Sequence, residues 1–322
     1  MSNLEPHPGE ERGGGAAVVP ATPARELLTG RDVPLGPRGE LVSRTLPHRD
    51  RRMVGAWCFL DHFGPRDVAT GPGMVVPPHP HTGLQTVTWL VAGEVLHRDS
   101  LGSQQTIRLG QLNLMTAGRG IAHSEESRSA GSPVLHGVQL WVALPDAARW
   151  VEPAFQHLAE LPVLTDGALQ VAVLLGDLAG HTSPARAYSP LVGALATCAG
   201  PVDTRLPVRA DFEYAALTLS GEATVAGVRL APGPLLYLGC GRSELALLAQ
   251  RPARLLLIGG QPFEEQIVMW WNFVGRSHDE IVAFRADWEA ERGFGAVPGY
   301  PGDRLPAPPL PTTHLKPRGR TR

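Results

Sequence analysis

Two short segments hold side chains whose types and spacing could do metal chemistry: Pro78-His79-Pro80-His81 and Ala122-His123-Ser124-Glu125. Each is a donor-x-donor pair. In an extended strand, residues i and i+2 point to the same face, so each pair presents two donor atoms on one side of the chain. If the two strands are neighbours, His79, His81, His123 and Glu125 converge into three imidazole nitrogens and one carboxylate oxygen. Such a set suits a divalent first-row ion such as Fe(II), with positions left open for water, oxygen or a substrate oxygen, although Mn, Ni, Cu or Zn could take the same donors. The competing reading is a chance His-x-His in a chain with twelve histidines, each hydrogen-bonded or at the surface. Context favours ligation: each pair lies near a glycine-marked turn, and the first runs straight into a strong strand pattern.

The elements that must position these residues read as β-strands. Glycine and proline, at 37 and 31 residues, make up about a fifth of the 322-residue chain against an average nearer ~12 %, which disfavours a helical bundle. Short apolar runs broken by Gly and Pro predict a sandwich or barrel. Residues 86–91, a Gly93-Glu94 turn and residues 95–97 predict a hairpin between the two donor pairs, and 111–115 and 138–143 read as further strands. The second half repeats the style at 214–219, 223–225 and 235–238, so two similar β domains are expected. One segment differs: Ser277 and Glu280 have capping-box spacing, and Ile281, Phe284 and Trp288 follow at helical intervals, predicting a helix over about 279–291 with its apolar stripe on a sheet. Residues 1–31 read as a mobile extension. Residues 295–322 read as a Pro-rich basic tail ending in Lys316, Arg318, Arg320 and Arg322.

A net charge of −2 provides no basic field for nucleic acid or an anionic membrane, and no apolar run is long enough to span a bilayer or serve as a signal peptide. Cys58, Cys198 and Cys240 form an odd set without C-x-x-C, which fits a reduced, cytoplasmic setting and buried small hydrophobes. A monomer is expected. Serine-hydrolase, P-loop and Rossmann signatures are missing. Lesser candidates are Asp61-His62, which could orient a ligand or hold a loop, and Arg119, which could face an anionic substrate or pair with a carboxylate. His97, His136 and His157 lack a partnered spacing and read as structural.

Gly73 followed after five residues by His79-Pro80-His81 matches the first cupin motif, and Gly110, Thr116-Ala117-Gly118 and His123 loosely match the second. Arg51-Arg52-Met53-Val54, Leu60-Asp61-His62-Phe63-Gly64-Pro65, HPHTGLQTVTWL, MTAGRGIAHSEE and HGVQLWVAL closely resemble the pirin family of two-cupin proteins, over roughly 31–292. The resemblance implies an all-β chain of two jelly-roll cupin domains, metal-binding over 32–160 and degenerate over 161–294, with a C-terminal helix. It implies a single iron at His79, His81, His123 and Glu125. Many cupins use a glutamate where this chain has Gln85, a poor ligand that would hydrogen-bond or face the pocket instead. The second cupin has no equivalent histidines at 208–211 or 239–244, and Trp270-Trp271 would be core. Quercetinase-type dioxygenase activity is implied, acting on a flavonol-like substrate with O2 and with Glu125 as proton acceptor. The alternative is a non-catalytic iron-dependent regulator that binds a transcription factor or a metabolic enzyme; a third reading keeps the metal as a structural staple only.

Overall fold

Runs of Val, Leu, Thr and Trp separated by glycine corners pair antiparallel throughout both halves of the computed structural model, which describes residues 11–13, 23–35, 40–69, 73–128 and 132–315. In the first half a seven-stranded sheet runs in the order Ala154–Leu158, Leu112–Thr116, Leu84–Ala92, Val134–Ala143, Trp57–Asp67, Glu40–Leu46, Arg31–Leu35. A four-stranded sheet, ordered Val75–His81, Ile121–Arg128, Glu94–Asp99, Gln104–Ile107, packs on it. Val76, Val95 and Ile107 from the small sheet share an apolar cluster with Phe63, Leu90 and Leu135 from the large one. The second half repeats the arrangement, with an eight-stranded sheet opposed to a four-stranded one around Leu169, Val173, Leu236 and Leu257. These are the two jelly-roll barrels expected from the resemblance.

The hairpin expected around Gly93 does not form. Leu84–Ala92 belongs to the large sheet and Glu94–Asp99 to the small one, so Gly93 is a corner at which the chain changes sheets. Its φ of +91° and the 2.7 Å from a built Cβ to the Val134 carbonyl oxygen both require glycine there. A tight two-residue turn and a sheet corner draw on the same residues, which is why local sequence did not separate them.

The halves share one core. Trp57, Leu60 and Trp141 pack in a single buried cluster with Leu195, Leu217, Leu256 and Ile258. Trp57 Nε1 donates to the carbonyls of Val192 and Gly259, both at 3.1 Å. Buried Glu213 accepts from the Gly55 amide and the Tyr237 hydroxyl, each at 2.6 Å.

The expected terminal extensions are shorter than their composition suggested. Glu26–Leu28 pairs with Leu235–Gly239 and buries Leu28, and Ala307 and Leu315 are buried against Trp270, Phe273 and Trp288. Isolated apolar residues in Pro-rich text carry no periodicity, so this docking left no local signal. The basic residues from Lys316 onward, and most of the N-terminal extension, lie outside the described residues. The helix spans His278–Glu289, with Ser277 capping the Glu280 amide at 3.2 Å and Ile281, Phe284 and Trp288 buried as expected. No helix among the described residues is long and apolar enough to cross a membrane.

Candidate metal centre

Ile121–Arg128 lies between Val75–His81 and Glu94–Asp99, so the two donor pairs are on neighbouring strands. His123 stands opposite His79 on one side and Asp99 on the other, and Glu125 stands opposite His97. The ladder with Val75–His81 slips between His123 and Glu125, where Pro77 and Pro78 have no amide to donate. The slip frees the Pro77 carbonyl, which accepts the Nδ1–H of His79 at 2.8 Å.

The imidazoles are gathered inside the barrel, His79 and His81 at 81° to each other and both inclined at 54° to His123. Ring centroids of His79 and His123 are 4.3 Å apart, those of His81 and His123 4.9 Å, and those of His79 and His81 5.0 Å. Ligand atoms of the three histidines lie within 4.8 Å of one another. A second triad within the same limit, His97, His123 and Glu125, shares His123. All three of the predicted histidines are therefore gathered, and Glu125 adjoins them through His123. Glu125 Oε1 accepts from Thr88 Oγ1 at 3.2 Å, a hydroxyl that also lies 2.9 Å from Gln139 Oε1.

The donor set fits a metal ion. Burial, before any other influence, pushes His79 down to about 3 and holds His81 and His123 well below the usual imidazole range, so all three are neutral at pH 7. A carbonyl oxygen can only accept. His79 Nδ1 facing Pro77, and His81 Nδ1 facing the Asn272 carbonyl at 3.1 Å, must therefore carry their protons, which leaves both Nε2 lone pairs free. Among the described residues His79 Nε2 is buried with no hydrogen-bond partner, and His81 Nε2 is 3.1 Å from His123 Nε2. A buried lone pair with no donor is costly unless a cation takes it.

Asn272 shows that the second half contributes to the first half's site. Trp271, just before it, has φ +52°, an unusual conformation for a bulky residue, and the chain turns there between Ile267–Trp270 and Phe273–Gly275. Trp270 and Trp271 are core, as expected. Sequence reasoning missed the role of His97. His97-x-Asp99 has the same i, i+2 form as the other two donor pairs, and that spacing is the available signal.

The lesser candidates are engaged elsewhere. Gln85 donates to Thr116 Oγ1 and to the Arg186 carbonyl, both at 2.9 Å. Exposed Arg119 is paired bidentately with Glu152. Asp61 holds Arg44 at 2.7 and 2.9 Å, and His62 Nε2 lies 2.9 Å from His136 Nε2. Among the described residues, clusters able to hold a metal occur only in the first half, and all three cysteines are buried and free.

Comparison with known proteins agrees with the two-barrel fold. Residues 39–142 match the Pirin family, and residues 196–295 match the Pirin C-terminal cupin domain. A Pseudomonas aeruginosa relative, whose name gives quercetin 2,3-dioxygenase as a provisional assignment, is 48% identical over 89% of this chain and 90% of its own. A pirin-like protein of Caulobacter vibrioides is 38% identical over 78% of this chain and 88% of its own. The crystal structure of a quercetin 2,3-dioxygenase from Acinetobacter baumannii superposes with a TM-score of 0.85 at 42% identity, covering 91% of this chain and 98% of that one.

Proposed function

The chain belongs to the pirin family of two-cupin proteins, and from that premise we propose that it is an iron-dependent dioxygenase of quercetinase type that opens a flavonol-like substrate with O2. The observation that carries this reading is the convergence of three neutral, buried imidazoles, one of whose inward Nε2 atoms has no partner among the described residues. His79, His81, His123 and Glu125 would hold the ion. Bound there, an Fe(II) ion supplies the Lewis acidity that favours the ionised form of a hydroxyl next to a ketone. Glu125 takes the proton that this hydroxyl gives up, and the Thr88 hydroxyl on its Oε1 orients the carboxyl for that exchange. The barrel walls keep bulk water from the reacting group. The three free, buried cysteines support a reducing cytoplasmic setting.

Anaerobic loading with Fe(II), followed by oxygen consumption and loss of flavonol absorbance beside a His81→Ala control, tests the proposal. Turnover in the loaded protein that disappears in the control is the expected result. One observation favours a second, non-catalytic reading, in which the metal is a structural staple or its state controls binding to a transcription factor or metabolic enzyme: the four donors are at most 1% exposed. Iron uptake with no turnover of any flavonol would sink the dioxygenase reading and favour this one.

A further inference from the structure

His123 is the donor shared by both triads, and what faces its outer nitrogen is unlike what faces the outer nitrogens of His79 and His81. Those two meet backbone carbonyls. His123 Nδ1 instead lies 3.4 Å from His97 Nδ1, and His97 Nε2 lies 3.0 Å from Asp99 Oδ2. An imidazole can donate or accept at either nitrogen, so this contact alone does not fix which nitrogen of His123 carries a proton.

Asp99 resolves the ambiguity. Its Oδ1 accepts the backbone amides of Leu101 at 2.9 Å and Ser103 at 3.0 Å, so the carboxylate is anchored and its Oδ2 can only accept. His97 Nε2 must then be the donor. When that Nε2 proton is the ring's only one, His97 offers its Nδ1 lone pair to His123, whose Nδ1 must donate, and the His123 Nε2 lone pair is left for the ion. Asp99 and His97 are buried, and the His97 ring is stacked on Phe155 with centroids 4.4 Å apart, so the chain of contacts is held on both sides.

We propose that His97 and Asp99 form a positioning relay that fixes the tautomer and ring orientation of His123, so that His123 Nε2 is presented to the metal. The inference rests on the metal-centre reading above. His97 is a positioning residue here, accepting from a ligand rather than serving as one, and metal-ligating histidines held by such outer partners lose roughly 10- to 100-fold in affinity when the partner is changed.

Asp99→Asn isolates the effect. The amide oxygen keeps the Leu101 and Ser103 bonds, so the NH2 group must face His97 Nε2. That reverses every donor in the chain and puts a proton on His123 Nε2. Zn(II), a diamagnetic probe, is titrated into wild type and variant by chelator competition, with circular dichroism to verify folding, and imidazole 15N spectra are recorded on the loaded wild type. The relay requires Zn(II) binding weakened about 10- to 100-fold in Asp99→Asn, and a neutral His97 protonated at Nε2 with an unprotonated, unligated Nδ1. Equal affinity in the two proteins overturns the relay and leaves the metal centre standing, whereas a wild type that takes up no Zn(II) overturns both. If the variant fails to fold, the wild-type spectrum decides alone: a His97 proton on Nδ1, or a His97 nitrogen bonded to Zn(II), overturns the proposal.

Discussion

His81 donates its Nδ1–H to the carbonyl of Asn272, a residue 191 positions later in the chain, at 3.1 Å. The second half offers no histidine cluster of its own among the described residues, yet the turn between its strands Ile267–Trp270 and Phe273–Gly275, outside its two barrel sheets, sets the tautomer of a candidate ligand in the first. Its role is therefore more than covering apolar surface. The same turn pairs Phe273 with Thr82, beside His81, and tethers the strand end from which His81 projects.

This dependence predicts that the first half does not fold alone. A chain ending at residue 160 would expose Trp57, Leu60 and Trp141, now packed with Leu195, Leu217 and Ile258. It would also lose the acceptors of Trp57 Nε1 and of His81 Nδ1. Such a fragment is expected to be insoluble or to lack a cooperative thermal transition. A soluble fragment with a sharp transition and wild-type metal uptake would contradict the shared core.

Glu213 provides a sharper test of the junction. It is 1% exposed and accepts from the Gly55 amide and the Tyr237 hydroxyl. Glu213→Ala leaves two buried donors without their acceptor, which costs about 2–4 kcal/mol. Urea unfolding should register that loss while metal stoichiometry per folded molecule is unchanged. A midpoint equal to wild type would remove Glu213 from the junction.

The two donor pairs were legible because strand alternation is a local property: His79 with His81 and His123 with Glu125 need only an extended backbone to share a face. Their adjacency was a condition the sequence could state but not establish, and the register between Val75–His81 and Ile121–Arg128 supplies it. His97-x-Asp99 was equally readable by spacing, and was overlooked because Asp99 reaches the centre only through a second imidazole. The Asn272 carbonyl was not legible at all, since a backbone acceptor has no residue type. Glycine corners failed in the same way: Gly93 has the residue of a hairpin turn and the role of a sheet crossing.

Gln85 stands where many cupins place a glutamate ligand, which invites the substitution Gln85→Glu. Its Nε2 donates to Thr116 Oγ1 and to the Arg186 carbonyl, so a carboxylate there would confront an acceptor in a buried site. The expected result is a loss of roughly 1–3 kcal/mol in stability, with no gain in metal affinity. Tighter metal binding by Gln85→Glu at undiminished stability would show that residue 85 reaches the centre.

Acid should destabilise the fold through the buried His62–His136 pair. Burial first, and the charge of His136 second, push His62 down to about 4, against an ordinary value of 6.5 in the unfolded chain. Between those values the unfolded chain takes up a proton that the folded one refuses. The contribution is therefore complete above about 6.5 and is lost as pH falls towards 4, and it amounts to roughly 3 kcal/mol across that window. His79, His81 and His123 are lowered in the same direction, so a wild-type pH profile alone would not identify the source. His62→Gln retains a side-chain amide able to donate to or accept from His136 Nε2 and leaves the other three histidines in place. Urea midpoints measured from pH 7 to pH 4 on both proteins should converge as the pH falls, because only wild type pays this protonation cost. Parallel profiles would mean that His62 accepts its proton as readily in the folded protein as in the unfolded one.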